Sequence, residues 1–427
     1  MKSICISAIS SNQGKTLLSM ALLYHYKKSV RAFKIGPDFI DPQFHEAICK
    51  TPSINLDTFL MNEEQVKWLY SRYSDKEFSI LEGVMGFYDG DDKGCSAHSI
   101  SSLLDVPTLL VLDGSGSYIT VSAVLHGLKG YMKNNTIKGV VLNKISSEIH
   151  YKMIKDRITR DFKDSIKVLG WIEKDLESIK SIHLGLDLRE LNEHKLEEIS
   201  NETLKHIDLK SLEEIAKVEK KEITNYPFDT IPKQDKFLTI IKDENFSFLY
   251  HDNLVFLQEI FKKVEIISAK NDETIDEKCD VVMIPGGYIE IDDSYKKMGK
   301  FKTSLIEHVK KGGFIYAECA GLIYLSNRID DKPMSGILDL DFKLNDKRVR
   351  LGYYYSDLGL KGHAFHYSSP INPPKGEHKL SKTKDFSNAK FGAWRKERVY
   401  GTYLHVTLRN NMQKLGKYFG LQTKGNR

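Results

Sequence analysis

The segment Ser10-Ser11-Asn12-Gln13-Gly14-Lys15-Thr16 separates a short apolar run, Ser3 to Ile9, from a helix-compatible stretch, Thr16 to Lys28. In that setting backbone N–H groups and a helix N-terminus can cradle phosphate oxygens. Ser11, Asn12, Gln13 and Gly14 would supply the loop, Lys15 would neutralise the β- and γ-phosphates, and the Thr16 hydroxyl would ligate magnesium. Ile9 stands where the standard phosphate loop has its first glycine. Far downstream, in Tyr316-Ala-Glu-Cys319-Ala-Gly321, an apolar strand-like run ends at a cysteine where a helix begins. This is the pattern of a nucleophile elbow, and a helix N-terminus is expected to lower the thiol pKa. A cysteine in such a run is otherwise a small buried hydrophobe, so a nucleophile needs a partner base. His405, at the end of Gly401-Thr-Tyr-Leu-His405, is the candidate. The turn Pro285-Gly286-Gly287-Tyr288 can aim the Gly287 N–H at a developing oxyanion, with the Ala320 N–H as the second donor.

Two further segments place acids just beyond strand-like runs, where ligands collect in open α/β sheets. They are Phe33-Lys-Ile-Gly-Pro-Asp38-Phe-Ile-Asp41 and Leu81-Glu82-Gly-Val-Met-Gly-Phe-Tyr-Asp89-Gly90. Magnesium takes a few carboxylates together with phosphate oxygens and water. Asp38, Asp41 and Glu82 therefore join Thr16 as metal candidates, and Asp89 joins them in substrate handling. An Asp beside Pro or Gly is commonly a turn former. Repetition after buried strands favours Asp38 and Glu82 as functional groups.

Positioning these groups requires strands that alternate with helices. Strand-like runs recur at Arg31 to Ile35, Phe78 to Leu81, Thr108 to Leu112 and Lys138 to Leu142, with helical stretches such as Ile119 to Tyr131 between them. Alternation restarts at Phe237 to Ile241, Val264 to Ser268, Val281 to Ile284 and Gly313 to Ala317. The fold class is α/β: two domains, each a mostly parallel sheet flanked by helices. Residues 1–190 form the first domain, which carries the phosphate loop, and 237–427 the second. Residues 191–236 form a helix and charged linker, with Ser211-Leu-Glu-Glu214 as a capping box and Ile207, Leu212 and Ile215 as an apolar stripe.

Bulk properties agree. A chain of 427 residues exceeds one ordinary core, and 41% hydrophobic with 28% charged residues describes a globular protein. The net charge of +5, from 63 basic and 58 acidic residues, comes without a long basic run. Nucleic acid is not implied, while small polyanions are accommodated. Five scattered cysteines lack the close pairs of a zinc or redox motif and suit a reducing compartment. The first apolar run is too short for a signal-peptide core and none reaches membrane-spanning length, so the expected location is cytoplasmic, with no membrane partner.

Taken together the motifs resemble the cobyrinate a,c-diamide synthase family, which joins a dethiobiotin-synthetase-like domain of the P-loop NTPase type to a class I glutamine amidotransferase-like domain. The resemblance covers nearly the whole chain. It rests on Phe33-Lys-Ile-Gly-Pro-Asp38, Glu82 through Gly90, His183-Leu-Gly-Leu186, Tyr316 through Gly321, Gly362-His-Ala-Phe-His-Tyr367 and Tyr403-Leu-His-Val406. It implies ATP- and magnesium-dependent amidation of cobyrinate side chains through acyl phosphates, with L-glutamine or ammonia as nitrogen source, and it allows a homodimer. It implies Cys319 as nucleophile, His405 as its base, and Asp38, Glu82 and Asp89 at the synthetase site. Asn143 resembles an adenine-contacting residue, with a strand-ending turn as the plainer alternative. Thr407 stands where many class I members carry a triad glutamate, leaving a Cys and His dyad. His363 and His366 lie on a family motif, and His366 reads equally as a packed core histidine. A carboxylate-rich substrate calls for cations, for which Lys34, Arg189 and Arg350 are candidates. Amidation of hydrogenobyrinate or nickel sirohydrochlorin would share these motifs. A partitioning-type ATPase switch would leave Cys319 and His405 unexplained.

Overall fold

The run Lys-Ser-Ile-Cys-Ile-Ser-Ala forms strand β1 (Lys2–Ala8), buried along nearly its whole length, as befits a strand covered by helices on both faces. The computed structural model describes residues 1–176, 192–291 and 293–422. The chain divides into two units, Met1–Pro227 and Phe228–Arg427.

In the first unit β1 is joined by β2 (Val30–Ile35), β3 (Ile54–Leu56), β4 (Phe78–Gly83), β5 (Thr108–Asp113), β6 (Ile137–Ile145), β7 (Lys167–Glu173) and β8 (His206–Ile207). Their order across the sheet is β3-β2-β4-β1-β5-β6-β7-β8. Pairing is parallel except at the short β7–β8 edge. The chain leaves β1 toward β2, β3 and β4 on one side and then crosses to β5 on the other. The loops after β1, β2 and β4 thus meet at one carboxyl end, the switch point at which such sheets bind ligands. The helix Lys15–His25 seats Leu18, Leu22 and Leu23 in the core beside Ile4 and Ile6.

The segment expected as helix and linker divides differently. Helices Glu193–Leu204 and Leu209–Ile215 belong to the first unit, where Leu196, Ile207 and Leu212 enter its core. Ser211 does not cap the second of these. Asp208 does so, accepting the Ser211 N–H at 3.0 Å, because an aspartate upstream offers the same cap and starts the helix earlier.

The second unit contains β9 (Gln234–Ile241), β10 (Phe261–Ile267), β11 (Val281–Ile284), β12 (Phe314–Glu318), β13 (Arg328–Ile329), β14 (Lys332–Pro333), β15 (Asp341–Leu344), β16 (Arg350–Ser356), β17 (Lys361–His366), β18 (Ser368–Ile371), β19 (His378–Ser381), β20 (Lys390–Lys396) and β21 (Val399–Thr402). One sheet runs β10-β9-β11-β12-β21-β20-β19-β16-β17 and a smaller one β14-β13-β15-β18. The larger sheet is mixed: β10 through β21 in that order are parallel, and the rest is added antiparallel. Ile240, Met283, Ile315, Leu322 and Phe419 lie in the core of this unit. Among the described residues no helix is long and apolar enough to cross a membrane. The five cysteines are free and buried.

Candidate active sites

The phosphate loop forms as the sequence predicts. Gly14 precedes the helix at φ +97°, a left-handed conformation that favours glycine. A Cβ there would also lie 2.3 Å from Asn143 Nδ2. Lys15 Nζ donates to the Ser10 carbonyl at 2.7 Å. A cleft of about 470 Å³ lies over the loop, lined by Asn12, Lys15, Thr16, Lys34, Asp41 and Glu82 among others.

Sheet register brings the charged groups of this cleft together, since Lys34 on β2 pairs with Glu82 on β4. Glu82 Oε1 accepts from Thr16 Oγ1 at 2.9 Å and from Lys34 Nζ at 3.3 Å. Its Oε2 lies 2.9 Å from His45 Nε2. Lys34 also donates to Asp41 and sits 3.6 Å from Asp38 Oδ2. Burial works against charge on both Lys34 and Glu82, yet their mutual attraction prevails: the ammonium is shifted up and the carboxyl down. Asp41 is pushed up to about 7, first by burial and then by the Glu82 charge, against the pull of Lys34. Lys15 is shifted down, chiefly by burial.

These contacts sort the metal candidates. Thr16, Asp41 and Glu82 all offer oxygen donors to the loop cleft, which fits magnesium, and Glu82, Asp41 and Asp38 all face the Lys34 ammonium. Among the described residues no three His, Cys, Asp or Glu side chains converge as a self-contained cage. The remaining ligands would come from nucleotide and water, as magnesium prefers. Lys34, expected as a substrate cation, is buried within its own carboxylate cluster.

Other expectations change on inspection. Asp89 is a turn former, accepting the Gly86 N–H at 2.7 Å. Asn143 donates to the Gln13 carbonyl at 2.9 Å, so its amide nitrogen buttresses the phosphate loop instead of presenting itself to a base. Ser11, Asn12 and Gly14 line the cleft. The motif His183-Leu-Gly-Leu186 and Arg189 lie outside the described residues. His45 was missed altogether. Its helix, Ile40–Cys49, carries Asp41 one turn earlier on the same face, the only signal available in sequence.

In the second unit Cys319 immediately follows β12 at φ +45°, a strained position for a residue with a Cβ and characteristic of an elbow. Its N–H donates to the Thr402 carbonyl at 2.7 Å, and the Gly321 N–H to the Pro285 carbonyl at 3.1 Å. The glycine turn, the cysteine and the end of β21 are thereby fixed against one another. His405 lies just beyond β21, its Nδ1 3.1 Å from Glu318 Oε2. Its backbone exchanges hydrogen bonds with His363 at 2.8 and 2.9 Å. Gly287 approaches the Asn245 carbonyl so closely that a Cβ would fall 2.0 Å from it.

The thiol departs from expectation. Burial and then the Glu290 charge push the Cys319 thiol up, and the Ala320 N–H works only partly against them. The following helix, Ala320–Leu325, is short, so its dipole is a weak counterweight. Glu290 itself is raised by burial. His366 is a packed histidine: it stacks on Tyr403 at 3.7 Å, bonds the Ser368 carbonyl through Nδ1, and is pushed down to about 3 by burial and the Arg350 charge. Arg350 is half-buried within the second unit. It donates to the Phe391 carbonyl at 3.0 Å and lies over the Tyr403 and Tyr354 rings.

Gly286 gives a direct test of this packing. A Cβ there would lie 2.3 Å from His405 Cε1, so Gly286→Ala must displace the imidazole. Glutamine hydrolysis is expected to fall by about 100-fold, the scale of a misplaced catalytic group. Steady-state ammonia release by the variant reads it directly.

The comparisons agree with both halves. Residues 4–188 match a family model described as a CobQ/CobB/MinD/ParA nucleotide binding domain. Residues 238–413 match a CobB/CobQ-like glutamine amidotransferase domain. The chain is 34% identical to a cobyrinate a,c-diamide synthase of Fusobacterium nucleatum subsp. nucleatum, covering 95% of this chain and 97% of that protein. It is 36% identical to that of Saccharolobus solfataricus, with 87% and 89% covered. With that of Methanocaldococcus jannaschii it shares 32%, with 95% and 96% covered.

Proposed function

The chain belongs to the cobyrinate a,c-diamide synthase family and is a glutamine-dependent carbon–nitrogen ligase using ATP, and we propose that its two units divide the amidation of the a- and c-carboxylates of cobyrinate as follows. The single observation carrying the proposal is that one chain holds both a phosphate-loop cleft and a cysteine elbow whose preceding residue, Glu318, contacts His405.

In the first unit the triphosphate of ATP lies on Ser11 to Thr16, with Lys15 turning from the Ser10 carbonyl to the β- and γ-phosphates. Thr16 and Glu82 would hold magnesium beside the phosphates, where it would supply charge neutralisation. A substrate carboxylate oxygen bonds to the γ-phosphorus as ADP leaves, giving an acyl phosphate. Ammonia then adds at the acyl carbon, losing a proton, and phosphate departs.

In the second unit Cys319 Sγ attacks the carboxamide carbon of glutamine while its proton passes to His405 Nε2 and on to the departing ammonia. The Ala320 and Gly287 N–H groups receive the oxyanion. Water hydrolyses the thioester to glutamate, returning the thiol. A cytoplasmic setting belongs to the same proposal and is supported by the free cysteines.

Product mass tests the reading. With ATP, magnesium and glutamine, cobyrinate is expected to lose about one mass unit twice, as OH becomes NH2 at each acyl carbon. Parallel incubations with hydrogenobyrinate and nickel sirohydrochlorin compare the substrate choices. No mass change with any of the three would defeat the assignment.

A further inference from the structure

We propose that Glu318 completes the glutaminase machinery as the residue that positions His405, so that a Cys319–His405–Glu318 triad operates where Thr407 suggested a dyad. The inference rests on Cys319 being the nucleophile. Glu318 Oε2 lies 3.1 Å from His405 Nδ1, and the side chains are 3% and 1% exposed. The other carboxylate oxygen, Oε1, accepts from the buried Tyr316 hydroxyl at 3.0 Å. Both carboxylate oxygens are thus engaged, one by the imidazole and one by a rigid phenol.

Backbone register produces this contact. β12 and β21 are parallel, with Glu318 opposite Thr402. His405, just past the end of β21, is held from its other side by the two main-chain hydrogen bonds to His363. Thr407 cannot serve instead. It is a neutral hydroxyl, and it donates to Asn410 Oδ1 at 2.6 Å.

The chemical consequence follows from the two ring nitrogens. A carboxylate at Nδ1 keeps a proton there and leaves Nε2 as the acceptor. As Sγ bonds to the carboxamide carbon, its proton moves to Nε2 and the imidazolium forms against the Glu318 carboxylate. Breakdown of the tetrahedral adduct sends that same proton to the departing nitrogen. Glu318 therefore touches no reacting atom and acts through His405. The buried, raised thiol needs such a base more than an exposed thiolate would.

The test uses the full chain in three variants, Glu318→Gln, Glu318→Asp and Cys319→Ala, assayed for glutamine hydrolysis and for ammonium-driven synthesis. The isosteric Gln keeps shape and loses charge, whereas the shorter Asp keeps charge and loses reach. Glu318→Gln is expected to lower kcat for hydrolysis by at least about 100-fold with KM for glutamine little changed. Glu318→Asp should hydrolyse faster than Glu318→Gln. Ammonium-driven synthesis should stay at the wild-type rate in both, and matching thermal melts show that the second unit still folds. Near-wild-type hydrolysis by Glu318→Gln, or Gln outperforming Asp, overturns the proposal. If Cys319→Ala itself continues to hydrolyse glutamine, the nucleophile assignment beneath it fails instead.

Discussion

Cys319→Ala is expected to lower glutamine-dependent synthesis by at least about 1,000-fold, the scale set by loss of a covalent nucleophile, while synthesis driven by high ammonium stays at the wild-type rate. The reason is a division of chemistry between two separately cored units. Cys319 belongs to the second, and ammonium in solution replaces its only product needed by the first. Its proton is hard to remove: burial and Glu290 push the thiol up, so attack must be coupled to proton transfer to His405. A glutamine-analogue electrophile, which seats itself between these groups, should therefore label Cys319 far faster than a generic thiol reagent of similar intrinsic reactivity. Cys319→Ser puts a hydroxyl in the thiol's place with similar geometry but should be nearly as inactive, because an alkoxide is harder still to generate. Equal loss with both nitrogen donors in the alanine variant would show that Cys319 instead supports the fold or the synthetase site.

The contrast between what the sequence discloses and what it hides has a physical basis in this chain. The buried parallel strand Val281 to Ile284 is a continuous apolar run and Phe78 to Leu81 is broken only by Ser79, so composition alone marks them. The antiparallel half of the second sheet is different. β16 reads Arg-Leu-Gly-Tyr-Tyr-Tyr-Ser and is only partly buried, leaving neither a continuous run nor a clean alternation. The elbow cysteine and late histidine were legible because each sits at a strand end. Glu318 was not, since a glutamate that closes an apolar strand carries no local mark and its meaning depends on the register that brings β21 alongside β12. His45 is hidden in the same way, because helical spacing pairs it with Asp41 but cannot say that this face meets Glu82. Arg350 lies near a family motif, and what the sequence could not show is that a carbonyl and ring faces hold it.

Lys15→Ala and Glu82→Gln are each expected to prevent synthesis with either nitrogen donor, by about 100-fold or more, because both remove charge that develops its full value only during phosphoryl transfer. Lys15 bonds the Ser10 carbonyl at 2.7 Å and its ammonium is shifted down by burial, so it is held near the loop with its charge poorly solvated. Arriving phosphates supply a far stronger partner than a carbonyl, and alanine supplies none. Glu82 acts at the other side of the cleft. It binds Thr16, Lys34 and His45 at once, so glutamine in its place preserves the volume but leaves the Lys34 ammonium with less compensation and removes the carboxylate proposed to hold magnesium. The glutaminase unit has its own core and should be untouched. Cys319 in either variant should still be labelled by a glutamine-analogue electrophile at the wild-type rate, while product mass stays at that of the unamidated tetrapyrrole with glutamine and with ammonium alike. Labelling establishes that the second unit is folded, and a thermal melt with two preserved transitions does so for the first. Normal amidation by either folded variant refutes the role assigned to that residue, and loss confined to the glutamine-driven reaction would place it in the wrong unit's chemistry.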